Sequence, residues 1–221
     1  MNALFDAVQN GDIYQLQTVI ASGVDLNIRD AEGFTALMHA ADRGYAACVQ
    51  MLINAKAGLE IPSAYYNQST ALLLAIESDK PECAQILINA KANLEARDRR
   101  GCTALHDAAM MGYADSLQLL IDAKADIEAQ NARGFTAFYV ASRFGHSECA
   151  QMLMDARADM NVCSRRGVTP LMLATLTGGA DIQRLLDDDA DGNVNARDDE
   201  GASALIWAVR FGKTDSTQLL I

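Results

Sequence analysis

Six times along this chain a hydroxyl residue opens the same run of large apolar, small and polar positions. The openers are Thr35, Thr70, Thr103, Thr136, Thr169 and Ser203, and from Thr70 to Thr169 they lie 33 residues apart. The first interval is 35 residues and the last 34. Two residues after each opener stands Leu37, Leu72, Leu105, Phe138, Leu171 or Leu205, and five after it Ala40, Ala75, Ala108, Ala141, Ala174 or Ala208. Nine after it comes Gly44, Gly112, Gly145, Gly178 or Gly212, with Asp79 as the exception. A fixed period of this length has to be read before any single motif, because it signals a stacked repeat.

Each position has a local physical role. A Thr or Ser side chain caps a helix by accepting a hydrogen bond from the free amides of the first turn, and Pro170 follows its cap directly, where a missing amide does no harm. The pattern therefore predicts a short helix after every hydroxyl. Small pairs such as Ala108 and Ala109 permit close helix approach, and the following Gly112 can take the left-handed conformation that ends the helix. A second helix is predicted from Leu117, Leu120 and Ile121 at helical spacing, and Ala123 to Glu128 leads out to a turn closed by Gly134. One helix pair cannot bury its own apolar face, so such units become stable only by stacking on one another.

The pattern G-x-T-x-L-x-x-A-x-x-x-G, followed by a Leu-Leu pair and an A-D-x-N type ending, resembles the ankyrin repeat family. TPLMLA from Thr169 and TALHDAA from Thr103 are its closest echoes. The resemblance implies an all-α fold, a solenoid of helix-turn-helix units with short β-hairpin-like finger loops. It implies one domain over residues 1–221, with an N-terminal capping unit at 1–29 and units at 30–61, 62–97, 98–130, 131–163, 164–197 and 198–221. Proline stands at its family position only as Pro170, and the family histidine appears only as His106. The third unit departs furthest, with Gln68 for the finger glycine, Asp79 for the inter-helix glycine, and an expected capping box from Asp79 to Glu82. The chain stops at QLLI, with Leu219, Leu220 and Ile221 at core positions; the expectation is that the natural chain continues or that another molecule covers this face, allowing end-to-end contact.

Composition narrows the function. Half of the 221 residues are hydrophobic and 21% are charged, the balance of a folded protein with a sizeable core. No apolar run approaches the roughly 20 residues of a membrane span, and MNALFDAVQNGD lacks the order of a secretory signal, so an intracellular, cytoplasmic location without membrane insertion is expected. Five cysteines form no disulfide framework or zinc spacing. The net charge of −11 opposes a general affinity for nucleic acid.

Candidate chemistry is sparse. Cys48, Cys83 and Cys149 share one register and read as core, while Cys102 and Cys163 fall in the loops without a basic partner fixed by sequence. His106 and His146 stand at positions that the resemblance makes structural; His39 is expected to face the groove, with no nucleophile or acid matched to it. No catalytic residue and no cofactor is assigned. The stretch DDDADGNVNARD fits a calcium loop through Asp187, Asp189, Asp191, Asn193 and Asp198, yet much of that match is inherited from the loop joining any two repeats, so no metal is assigned.

What differs between units carries the function. The resemblance implies that finger tips and the exposed side of each first helix line a concave groove. In the early units those positions hold Phe34, Arg43, Tyr65, Tyr66, Arg99 and Arg100. Further along they hold Met111, Arg133, Phe135, Arg143 and Phe144, then Arg165 and Arg166, then Trp207, Arg210 and Phe211. Arginine and aromatic side chains anchor interfaces most often, and a guanidinium grips carboxylate or phosphate at two points. The expectation is a non-enzymatic scaffold or adaptor that binds an acidic or phosphorylated segment of another protein, with the balancing carboxylates on second helices and outer loops. The alternative is a docking or regulatory region of a larger signalling enzyme such as a kinase or ubiquitin ligase.

Overall fold

The structure, a computed structural model, describes residues 3–177, 179–188 and 193–221. Among those residues the periodic pattern becomes fourteen α-helices and no strand. They gather into two compact units, one comprising residues up to Ala108 with Asp115–Asp126, the other Ala109–Ala114 with everything from Ile127 onward.

The first unit contains α1 (Ala3–Gln9), α2 (Ile13–Ala21), α3 (Ala36–Arg43), α4 (Ala46–Asn54), α5 (Ala71–Glu77) and α6 (Pro81–Asn89), with most of α7 (Ala104–Met111) and α8 (Ala114–Asp122). Odd and even helices form two layers: α3 packs between α1 and α5, and α4 between α2 and α6. Leu37, Leu72 and Leu105 are buried as the register requires, and Ala40, Ala75 and Ala108 sit fully buried at the close approaches. The second unit holds α9 (Ala137–Phe144), α10 (Ser147–Asp155), α11 (Pro170–Thr177), α12 (Gly179–Asp188), α13 (Ala204–Arg210) and α14 (Thr214–Leu219). There α11 packs on α9, α12 and α13.

The hydroxyl caps form as predicted at Thr35, Thr70, Thr136, Thr169 and Ser203, each accepting the amide three residues on. Thr103 bonds the His106 ring, its amide donating to Nδ1 at 3.2 Å. The first helices end alike. Tyr45 N–H reaches back to Ala40 O at 2.9 Å and His146 N–H to Ala141 O at 3.0 Å, the wrapped-back pattern that needs a left-handed residue one place earlier.

That requirement corrects the reading of the third unit. Asp79 makes no capping box; it takes the left-handed conformation itself, at φ 51°, while Lys80 N–H bonds Ala75 O at 2.8 Å. The next helix, α6, starts after Lys80 without a side-chain cap. Asp79 thus does the work of the missing glycine, and Gln68 does likewise in its finger at φ 58°. The second helices use a terminator that the sequence pattern did not reveal. Lys56, Lys91, Lys124 and Arg157 all lie at φ between 67° and 69°, where the first unit's earliest helix pair has Gly23.

The outer loops are joined by carboxylates. Glu60 Oε1 accepts Asn93 N–H and Glu95 Oε1 accepts Asp126 N–H, both at 2.8 Å, within the first unit. In the second unit Glu128 Oε1 accepts Asp159 N–H at 2.8 Å. Each bond satisfies a backbone amide that the turn leaves free.

Candidate functional site

Five of the six fingers are tight turns organised by their first polar residue; in the third unit the Ser63 hydroxyl donates to Tyr66 O instead. Asp30 Oδ1 accepts the amides of Glu32 and Phe34, Asp98 Oδ1 those of Arg100 and Cys102, and Asp198 Oδ1 those of Glu200 and Ala202. Asn131 and Ser164 do the same for Arg133 with Phe135 and for Arg166 with Val168. The short side chain mimics a backbone acceptor and locks the turn, which leaves the intervening residues at the tip. No strand forms, but Asp30 N–H to Phe34 O at 2.9 Å closes a hairpin-like loop, as expected.

Where the organiser is Asp, its second oxygen needs a partner, and the residue nine places on supplies it. His39 Nε2 lies 2.6 Å from Asp30 Oδ2, and Trp207 Nε1 donates to Asp198 Oδ2 at 2.8 Å. Burial pushes the Asp30 acid upward, but the His39 contact and the Phe34 amide overcome it and hold the carboxyl below its usual range. Where the organiser is the uncharged Asn131 or Ser164, the ninth residue is apolar, Val140 or Leu173. His39 is therefore not the groove-facing contact expected. It is buried, with Phe5 edge-on at 6.0 Å and Phe34 at 5.3 Å.

The Asp98 finger breaks this rule. Its ninth residue is Asp107, a second carboxylate, and both side chains are 0% exposed. The cation comes from Arg100: Nε donates to Asp98 Oδ2 at 2.5 Å, and a terminal nitrogen donates to Asp107 Oδ1 at 2.7 Å and lies 3.6 Å from Glu77 Oε1. Asn67 Nδ2 also donates to Asp98 Oδ2, at 2.7 Å. Three carboxylates share one guanidinium, and Asp107 Oδ2 and Glu77 Oε2 are buried with no hydrogen-bond partner. Burial, against the pull of Arg100, pushes Asp107 up to about 7, and burial likewise raises Glu77. Arg100, expected as a free gripping residue, is 45% exposed but already bound to the cluster, its charge held by Asp98 and Asp107 against partial desolvation.

The other predicted residues of the first unit divide by exposure. Tyr65 and Tyr66 are 75% and 52% exposed, and Arg43 and Arg99 are exposed as well. Phe34 is half-buried, its ring 5.8 Å from that of Tyr66. The balancing carboxylates are not confined to second helices and outer loops: Asp42 ends the exposed turn of α3, Glu77 ends α5, and Asp107 lies on α7.

The second unit has the opposite character. Its first helices α9, α11 and α13 contain no acidic residue. Arg133, Arg143, Arg165 and Arg166 are exposed and pair with no described carboxylate, the Arg165 guanidinium donating to Ala132 O at 3.3 Å. Met111 and Phe144 are exposed, whereas Phe135 is half-buried and stacked on Tyr139 with centroids 4.4 Å apart. Towards the end, Arg210 pairs with Glu200 at 3.0 Å, Phe211 is exposed, and Trp207 is half-buried on the Asp198 bond.

The thiols and histidines hold no reactive arrangement among the described residues. Cys48, Cys83 and Cys149 are core residues, with burial raising the last two to about 11. Cys102, expected in an open loop, is buried; Cys163 is exposed. His146 Nε2 contacts Met110 O at 2.9 Å, in a structural role. Asp98, Cys102 and Asp107 bring one potential ligand atom each within 4.8 Å, but Asp98 Oδ1 already accepts two amides and Oδ2 accepts Asn67 and Arg100, so the group is an ion-paired cluster. In the acidic loop, Asp189 and Asp191 and the side chain of Asn193 lie outside the described residues. Asp198 is occupied by its finger and Trp207, and Asp187 Oδ1 accepts Gln183 at 2.8 Å.

Paired helices, hairpin-like fingers and exposed finger tips define a repeat protein. The chain belongs to the ankyrin repeat family, matching the description Ankyrin repeats (3 copies) over residues 4–98, 57–131, 91–162 and 138–221. It is similar to a curated Escherichia coli (strain K12) protein named for ankyrin repeats, YahD, at 45% identity over 53 residues, 24% of this chain and 26% of that protein. The match thus spans about a quarter of that relative. Two solved structures share the fold, each with 24% identity and covering 100% of this chain. The ankyrin repeat domain of Bcl-3, a member of the IkappaB family, superposes with TM-score 0.87 over 98% of its length, and that of human ASB11 with 0.82 over 96%. The fold class is the all-α ankyrin-repeat solenoid, and ankyrin repeat domains are protein–protein interaction modules, typically without enzymatic activity. No helix among the described residues is long and apolar enough to cross a membrane.

Proposed function

We propose that this chain is a non-enzymatic binding scaffold whose second unit takes an acidic or phosphorylated segment of a partner protein along its fingers and first helices. One observation supports it above the rest: Arg133, Arg143, Arg165 and Arg166 stand exposed without a described carboxylate partner, with exposed Phe144 following Arg143. Arginines without a carboxylate partner keep donors for an incoming carboxylate or phosphate, although Arg165 spends one on Ala132 O, and an exposed ring adds apolar area to the contact. Phe135, Arg210, Trp207 and Phe211 belong to the same reading as flanking contacts, while Phe34, Arg43, Tyr65, Tyr66, Arg99 and Met111 are proposed contacts outside the arginine set.

The test uses two fluorescent peptides, one of alternating glutamate and leucine and one with phosphoserine in place of glutamate. Binding to either is expected to weaken at least tenfold in the R143E/R166E variant and to lose most of its salt dependence. Equal affinity and equal salt dependence in the variant, with its thermal unfolding unchanged, would overturn the reading.

A further inference from the structure

The first unit's corresponding surface carries charge of the other sign. Its first helices contribute Asp42, Glu77 and Asp107, its third finger contributes Asp98, and the described ion pairs of this group all run to the single guanidinium of Arg100. Two of the oxygens, Asp107 Oδ2 in a wholly buried side chain and Glu77 Oε2, have no donor. Buried carboxylate oxygens without donors are costly, and the cost is relieved by a proton or by a cation brought from outside. Beside them Tyr65 and Tyr66 turn large ring surface to solvent. Asp42 Oδ1 accepts the hydroxyl of Ser78, the neighbour of Glu77, at 2.6 Å, and the charge on Glu77 first, then burial and the charge on Asp42, push the Tyr66 pKa above its usual value, with Arg100 only partly offsetting them. Four carboxyl groups thus stand against the one bridging guanidinium, while Arg43 and Arg99 of the same unit form no described ion pair.

We propose that this mouth, between Tyr66 and the carboxylates of Asp42 and Glu77, is a docking site for a lysine or arginine side chain of a protein partner. Three features select that occupant. The residual charge calls for a cation. Asp98 has both oxygens engaged and the cluster is already bridged by Arg100, so it lacks the open oxygen set that a hard metal ion requires. An exposed tyrosine face beside carboxylates accommodates an organic cation, which gains from the ring as well as from the acid. Docking is linked to protons as well. The groups facing Asp107 are Asp98, Arg100 and Cys102 of the finger, Glu77 of α5 and the Tyr66 phenol; when Asp107 loses its proton, the negative charge available to the incoming cation increases. Binding is thus tighter on the alkaline side of neutrality. This inference goes beyond the acidic-segment reading of the second unit and stands without it.

The probe is a capped hexapeptide of alternating lysine and leucine, titrated calorimetrically at pH 6 and pH 8 and at two salt concentrations. The wild-type protein is expected to bind several-fold more tightly at pH 8. E77Q, with its fold verified by thermal unfolding, is expected to lose about tenfold, and D107N to bind with no difference between the two pH values. R143E/R166E leaves this probe unaffected, whereas it weakens the glutamate peptide, so the two assignments fail separately. Undetectable binding at millimolar peptide, equal affinity in wild type and E77Q, or the same E77Q-sensitive response to magnesium chloride alone would each overturn the proposal.

Discussion

Asp107 is a carboxyl group in a position where two sister repeats carry a hydrogen-bond donor, His39 or Trp207, and burial pushes its pKa far above the usual carboxylate value. Its pKa, raised from 3.8 to about 7, means that the folded state holds a proton which the unfolded chain releases. The stability this proton contributes is complete below the unfolded value and disappears as pH rises through about 7. Asp107→Asn keeps an acceptor for Arg100 and cannot ionise, and Arg100 retains Asp98. Relative to wild type, the variant is expected to gain on the order of 1–3 kcal/mol between pH 5 and pH 8, discounted for relaxation of a buried pair. Urea midpoints at the two pH values decide it; a variant–wild-type difference that does not change with pH contradicts the assignment.

Much of the residue-level chemistry lay outside the reach of pattern. Cys48, Cys83 and Cys149 were legible as core because one register repeats them. His39 and Arg100 were not, although a signal exists: an Asp organiser followed nine residues later by a donor marks an internal bond. The Asp98–Asp107 pair shows the same spacing with the wrong chemistry, and only coordinates reveal that Arg100 turns inward to resolve it.

Helix ends show what a short element needs from its sequence. Left-handed backbone suits glycine, yet the second helices end on Lys56, Lys91, Lys124 and Arg157. Lys91 N–H bonds Ile88 O at 2.9 Å and Ala92 N–H bonds Leu87 O at 3.0 Å, which places buried Ala92 over the last turn. A lysine in that conformation is strained, so Lys91→Gly is expected to stabilise the protein by about 0.5–1 kcal/mol, the released strain exceeding the added freedom of the unfolded chain. Chemical denaturation measures it, and a loss of stability would show that the lysine stem contributes packing. Gly112 is the reverse case. At φ 75°, a Cβ there would lie 2.5 Å from His146 Nδ1, and the imidazole is fixed on Met110 O. Gly112→Ala is expected to cost about 2–3 kcal/mol from backbone strain and a displaced histidine. A thermal midpoint unchanged from wild type would mean that the ring moves freely aside.

Across the chain, both compact units are acidic, and they differ in the charge that their first helices carry. Each keeps the same cap, the same buried leucine and the same small-residue contact, but first helices of one carry Asp42, Glu77 and Asp107, and those of the other carry Arg143 and Arg210 with no acid. A net charge of −11 conceals that partition. The scaffold is common to the family, so selectivity has to reside in such unit-specific side chains.

Read without coordinates, the residues already specified the number of helix pairs, the hydroxyls that open them and the need to stack. These follow from backbone geometry and from burial of the same apolar register in every copy, both of which repeat with the period. Three-dimensional packing settled the rest: that Asp79 bends left-handed, that His39 and Arg100 are bound to carboxylates of their own unit, and that Arg133, Arg143, Arg165 and Arg166 meet no described carboxylate. The reason is that a long polar side chain chooses its partner by distance and desolvation at its far end, and neither quantity is written in the spacing of residues along the chain.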